Sequence, residues 1–96
     1  MPVARLGGRA EQDLIDIWLY TEERWGPAQA DAYLDAIELG IQRLVEHPQA
    51  GTKRDSVRDG YRVLFIQQHA VYYRVTPTGV HVVRVLHGRM DPLRHV

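Results

Sequence analysis

The 96 residues include no cysteine, which excludes disulfide scaffolds, cysteine-based zinc sites and thiol nucleophiles. Lysine occurs once, at Lys53, and serine once, at Ser56. Ser56 sits in no nucleophile-elbow motif, so a serine triad has nothing to build on. No window approaches the roughly 18 apolar residues that span a bilayer. The opening MPVARLGGRAEQDL lacks the apolar core of a signal peptide, and a soluble, cytoplasmic protein without membrane contact is expected. Repeats, low-complexity tracts and linker-like stretches are missing too, so one domain over residues 1–96 is expected. A chain of this length buries only about 60–65% of its unfolded surface, and a binding partner would add materially to its stability.

Net charge is also absent, with 12 basic and 12 acidic residues. That zero conceals a split. Residues 1–52 carry four bases and nine acids, a balance of −5, and residues 53–96 carry eight bases and three acids, a balance of +5. Such asymmetry points to a cationic face meeting an anionic partner.

What is present is strong periodicity. Ala10, Leu14, Ile17 and Trp18 recur at helical spacing, with Glu11, Asp13, Asp16 and Glu22 between them, predicting an amphipathic helix that ends near Trp25. GPAQADAYLDAIELGIQRLVEHP predicts a second helix, with Gly26 as cap, Pro27 in the first turn, Pro48 as terminator, and a seam of Ala30, Leu34, Ile37, Ile41 and Leu44 backed by Tyr33. Almost no linker remains, so the two helices fold back as a hairpin. From Gly60 the period becomes two: YRVLFIQ, VYYRV and VHVVRVLH read as strands joined by short turns, which permit only antiparallel pairing. Residues 3–6 predict a short first strand. The fold class is therefore α+β, an N-terminal strand and an antiparallel helical hairpin packed on a small antiparallel sheet.

Alternation assigns Val63, Phe65, Val71, Tyr73, Val75, Val83 and Val85 to the side under the helices, and Arg62, Leu64, Ile66, Tyr72, Arg74, Val82, Arg84 and Leu86 to the other. An uncovered sheet face is normally polar. This mixture of aliphatics, tyrosine and arginines predicts a face that another chain covers.

The order of landmarks DLIDIWLYTEERWGPAQADAYL, HPQAG, GYR, VYYRV and VVRVLHGRMD resembles the RelE/ParE superfamily of toxins from bacterial toxin-antitoxin modules, and within it the ParE branch. The resemblance spans nearly the whole chain. It departs where the family often shows a serine helix cap and this chain has Gly7-Gly8, a substitution that glycine's own capping ability makes harmless. It implies a partner, a ParD-like antitoxin whose C-terminal segment wraps the toxin in a hetero-oligomer, ordering as it binds. It further implies either of two mechanisms. RelE-like members cut messenger RNA in the ribosome, while ParE-like members bind DNA gyrase and trap it on broken DNA.

A nuclease needs a general base, a general acid and cations at the phosphate. Arg62, Arg84 and His87 are the residues that could serve, but the chain has one lysine, and Gly88 follows His87. A gyrase-directed binding toxin without catalytic residues of its own is therefore the expectation. The alternatives are a RelE-type ribonuclease or an inactive relative that only binds antitoxin. The expected antitoxin groove is Trp18, Leu64, Ile66, Tyr72, Arg74, Val82, Arg84 and Leu86, and the expected target contacts are Arg89, Met90, Asp91, Arg94 and His95. His87 beside Asp91 also reads as a residue that fixes a turn. His87, Asp91 and His95 are spaced by four, but Pro92 interrupts the helix a metal face would need, so no metal or cofactor is implied. No helix-turn-helix or arginine-rich arm appears, and operator DNA would be met only through the antitoxin.

Overall fold

The computed structural model describes residues 1–96. Its elements are β1 (Val3–Leu6), α1 (Gly8–Trp25), α2 (Pro27–Glu46), β2 (Thr52–Lys53), β3 (Tyr61–Ile66), β4 (His69–Thr76), β5 (Gly79–His87) and α3 (Pro92–His95). One five-stranded sheet runs in the order β1-β5-β4-β3-β2. The hairpin of α1 and α2 packs on one side of it. The α+β expectation holds, with two additions. The sheet is mixed, because β1 lies parallel to β5, and a two-residue strand, β2, extends the far edge antiparallel to β3.

Helix α1 buries Ala10, Leu14, Ile17 and Thr21, and α2 buries Ala30, Leu34, Ile37, Ile41 and Leu44, the stripes expected from the spacing. Gly26 alone connects them, at φ 88°, a conformation that a residue with a Cβ adopts only at a cost. The Trp18 indole N–H donates to Asp31 at 2.9 Å and ties the helices together. Beneath lies a core completed by Val71, Tyr73, Val80, Val82 and Val85.

The stretch from Pro48 to Gly51 is held from below. The Tyr73 hydroxyl donates to the Pro48 carbonyl and accepts from the Gly51 N–H, both at 2.8 Å. A Cβ on Gly51 would stand 2.5 Å from that hydroxyl, so only glycine fits. Arg62 donates to the carbonyls of Gln49 and Gly51 at 3.2 and 2.7 Å. The HPQAG, GYR and VYYRV segments are thus three parts of one latch between α2 and the sheet.

The face assignment needs correction. Leu64 and Ile66 pack toward the helices, while Val63 belongs to a second cluster with Ala70, Tyr72 and Leu86 on the opposite side. Phe65 is exposed, and Arg62 points to the loop carbonyls under α2. Strand β3 is apolar at four successive positions, Val63 to Ile66, so its parity is not written in hydrophobicity. In β5 the cause is a bulge: Tyr72 pairs with Arg84 but Tyr73 with Val82, leaving Val83 without a partner. The extra residue reverses the alternation. Val82 therefore joins the helix-side core, whereas Arg84 and Leu86 lie on the other face.

Candidate docking surface

The second face is organised in lateral rows set by strand register. One row is Val63, Tyr72 and Arg84, and the next is Phe65, Ala70 and Leu86. The chain itself covers much of both. Asp91 caps α3 by accepting the Leu93 N–H at 3.0 Å, with Pro92 in the first turn, and Val96 packs against the Val63, Ala70, Tyr72 and Leu86 cluster. Tyr72 and Leu86 are 6% and 1% exposed. The expectation of an open apolar face is therefore overturned in its centre: the chain's own C-terminal residues lie there. Pro92 opens α3, and since His87 ends β5, no one helix carries His87, Asp91 and His95, as expected.

Arg84 is the electrostatic centre of this region. Its Nε and Nη2 donate to the two carboxylate oxygens of Asp13 at 2.7 and 2.8 Å, and Nη1 donates to the carbonyl of His95. Asp13 also accepts the Val85 N–H at 2.9 Å. The reason lies in strand lengths. β1 stops at Leu6, opposite Val82, so beyond that point β5 is an edge with unpaired backbone, and the first turns of α1 lie beside it. Asp13 takes the place of the missing strand. The hydrogen bonds that Arg84 donates to Asp13, and the charge of that carboxylate, raise the Arg84 pKa, against the pull of burial. Arg84 is a structural cation.

Beside this pair a cleft of about 640 Å³ opens between α1, the start of α2 and the ends of β4 and β5, with Tyr20, Trp25, Tyr33, His69, His87 and Met90 among its walls. His69 and His87 are cross-strand partners with ring centroids 5.4 Å apart. Tyr33 Oη is hydrogen-bonded to His69 Nδ1 at 2.6 Å and accepts the Gln68 N–H at 3.2 Å. Burial, then the charge of His87, lowers the His69 pKa, while Asp13 raises it. His87 Nδ1 accepts the Arg89 N–H at 3.2 Å, and its carbonyl accepts the Met90 N–H at 2.9 Å. His87 fixes the turn that follows β5.

A second groove, of about 530 Å³, lies at the far edge, where β2 pairs only with Arg62 and Val63. Leu39, Gly40 and Leu44 of α2 form one wall, and Leu64, Phe65 and Ile66 the other. Leu39 and Phe65 are exposed.

The residues expected to form one antitoxin groove thus separate. Val82 is wholly buried under the helices, and Trp18 is half-buried in the hairpin. Leu64 and Ile66 line the far groove. Tyr72, Arg84 and Leu86 lie beneath the C-terminal residues, and Arg74 stands free at the lower end of the second face. Arg84 and His87 line the same cleft, but Arg84 is held by Asp13, and Arg62 lies apart on the loop carbonyls of Gln49 and Gly51. Of the expected target contacts, Arg89, Met90 and Arg94 are exposed, Asp91 is a helix cap, and His95 lends its carbonyl to Arg84. Asp13, Tyr33 and His69 were not foreseen. Asp13 is indistinguishable in the helical pattern from its solvated neighbour Asp16, and its partner lies 71 residues away.

A family model described as the ParE toxin of type II toxin-antitoxin system, parDE, matches residues 5–92. Toxin ParE1 of Caulobacter vibrioides is 41% identical over 92 residues, covering 96% of this chain and 95% of that protein. Toxin ParE1 of Mycobacterium tuberculosis is 42% identical over 92 residues, covering 95% and 94%. A solved structure described as the chromosomal ParDE TA system from P. aeruginosa superposes with a TM-score of 0.79 at 21% identity, over 91% of this chain and 96% of that one, a likeness of fold. The chain belongs to the ParE toxin family of type II toxin-antitoxin systems.

Proposed function

We propose that this chain is a toxin that acts by binding rather than by cleavage, that a ParD-like antitoxin neutralises it, and that its target is DNA gyrase. The observation that carries the reading is the commitment of both candidate catalytic arginines. Arg84 is locked in a bidentate pair with Asp13, and Arg62 is bonded to two backbone carbonyls. A guanidinium already neutralised or aimed at the fold cannot meet the charge that develops on a phosphate in flight.

Binding, by contrast, is well supported. Exposed apolar side chains flank the far groove, and Leu64 to Ile66 offer the unpaired backbone of a sheet edge. An extended, partly apolar antitoxin segment laid there would complete the edge while burying Leu39, Leu64, Phe65 and Ile66. Arg89, Met90 and Arg94, on the accessible turn and helix after β5, are the proposed target contacts. The partner's segment orders on binding, which offsets part of the contact energy.

Expression under tight repression tests the proposal. A gyrase-directed toxin produces an SOS response and filamentation with translation intact. Rapid loss of translation with cut messages would instead establish the ribonuclease reading, and normal growth would mark a chain that only sequesters antitoxin.

A further inference from the structure

Across the lower end of the second face, four strands each place one residue in a single row. Arg5 on β1 is opposite His81 on β5, His81 is opposite Arg74 on β4, and Arg74 is opposite Tyr61 on β3. Their chain neighbours Ala4, Leu6, Val80, Val82 and Tyr73 pack toward the helices, which sends the row to the other side. Arg5 and Arg74 are exposed and His81 is half-buried. The imidazole lies close over Gly7, where a Cβ would stand 3.2 Å from Nε2.

Neither guanidinium has a partner within the chain. The one ion pair in the molecule is Arg84 with Asp13, and the guanidinium hydrogen bonds belong to Arg54, Arg62 and Arg84. Neighbouring strands lie about 4.8 Å apart, so the two arginines stand roughly 10 Å apart with a ring N–H donor between them. Both guanidinium groups keep all their donors free, and an anion lying over the row would gain charge-assisted hydrogen bonds from each. The C-terminal residues lie over the adjacent row; in this one Tyr61 is buried at one end, while Arg5, His81 and Arg74 remain accessible.

We infer that Arg5, His81 and Arg74 form a docking strip for an acidic segment of the partner chain, one carrying two or three carboxylates; this rests on the antitoxin reading above. The planar guanidinium matches a carboxylate in two parallel hydrogen bonds. Two arginines and one imidazole over roughly 10 Å suit such a peptide, whereas a nucleic-acid interface engages on the order of six to ten phosphates.

The test is a fluorescence-anisotropy titration of the intact protein with labelled oligoglutamate of about twenty residues, repeated with a random DNA duplex of about twenty base pairs, at low and moderate salt. Both arginines are exposed, so R5E/R74E should fold as wild type does, and circular dichroism checks this. Wild type should bind oligoglutamate in a salt-sensitive manner, and R5E/R74E should lose at least about tenfold, the loss expected for charge-assisted bonds. Equal binding by both proteins, no binding by wild type, or loss of DNA binding alone would overturn the proposal. Co-expression with the antitoxin separates the two readings: failure to co-purify with wild type defeats the partner assignment, while the titration still decides the strip.

Discussion

Two side chains carry the clearest consequences at the residue scale. Asp13 and Arg84 form a nearly enclosed pair, with side chains 12% and 11% exposed. Removing one member leaves the other uncompensated, which costs on the order of 3 kcal/mol, whereas replacing both by apolar groups of similar size is often nearly neutral. Asp13→Ala should therefore lower the urea midpoint sharply, and Asp13→Leu/Arg84→Met should recover most of it. A double variant that is folded and still toxic would show that the guanidinium serves the fold and not the poison. His69 gives a pH signature. Its pKa is lowered from 6.5 in the folded state, so its contribution is complete above that value and is lost as pH falls through the folded pKa. Thermal melts from pH 7.5 down to 5 should show stability falling below about pH 6.5, and His69→Gln should flatten that fall.

Elements, rather than residues, decide what was legible beforehand. Both helices were readable because a stripe at 3.6-residue spacing, an N-terminal proline and a terminating proline agree with one another. The turn at Thr76-Pro77-Thr78-Gly79 was readable from its residues, whereas the one between YRVLFIQ and VYYRV was set too late, because His69 and Ala70 belong to β4. The bulge at Val83 was not, because in VHVVRVLH any single inserted residue leaves an equally apolar string, and only pairing with Tyr72 and Tyr73 reveals it. The candidate site suffered the same fate: Arg84 was found as a residue, but its side and its partner depend on that bulge. The α2–β3 latch makes its own prediction. Tyr73→Phe leaves the buried Gly51 N–H unpaired and should cost about 1–3 kcal/mol in chemical denaturation. The cationic row predicts an effect on binding rather than on stability. Arg74 is exposed and unpaired, so Arg74→Thr should leave the stability of the free protein within about 0.5 kcal/mol of wild type while weakening its hold on acidic peptide.

Across the whole molecule, only 21 of 96 residues are buried, and most of them lie in two clusters, of 12 and 4 residues, on opposite sides of the sheet. No helix is long and apolar enough to cross a membrane. A core this thin leaves a modest margin of stability. Antitoxin present at one hundred times its dissociation constant should add about 2.7 kcal/mol, read as a rise in melting temperature that follows antitoxin concentration. A melting temperature indifferent to antitoxin would contradict the neutralisation model.

The parallel pairing of β1 with β5 joins Val3–Leu6 to Gly79–Val82, almost the two ends of the chain. During translation the first strand to emerge is expected to wait, unpaired, until the last has left the ribosome. A nascent chain that has not yet made Gly79–Val82 lacks the only partner of β1 and cannot hold the finished sheet.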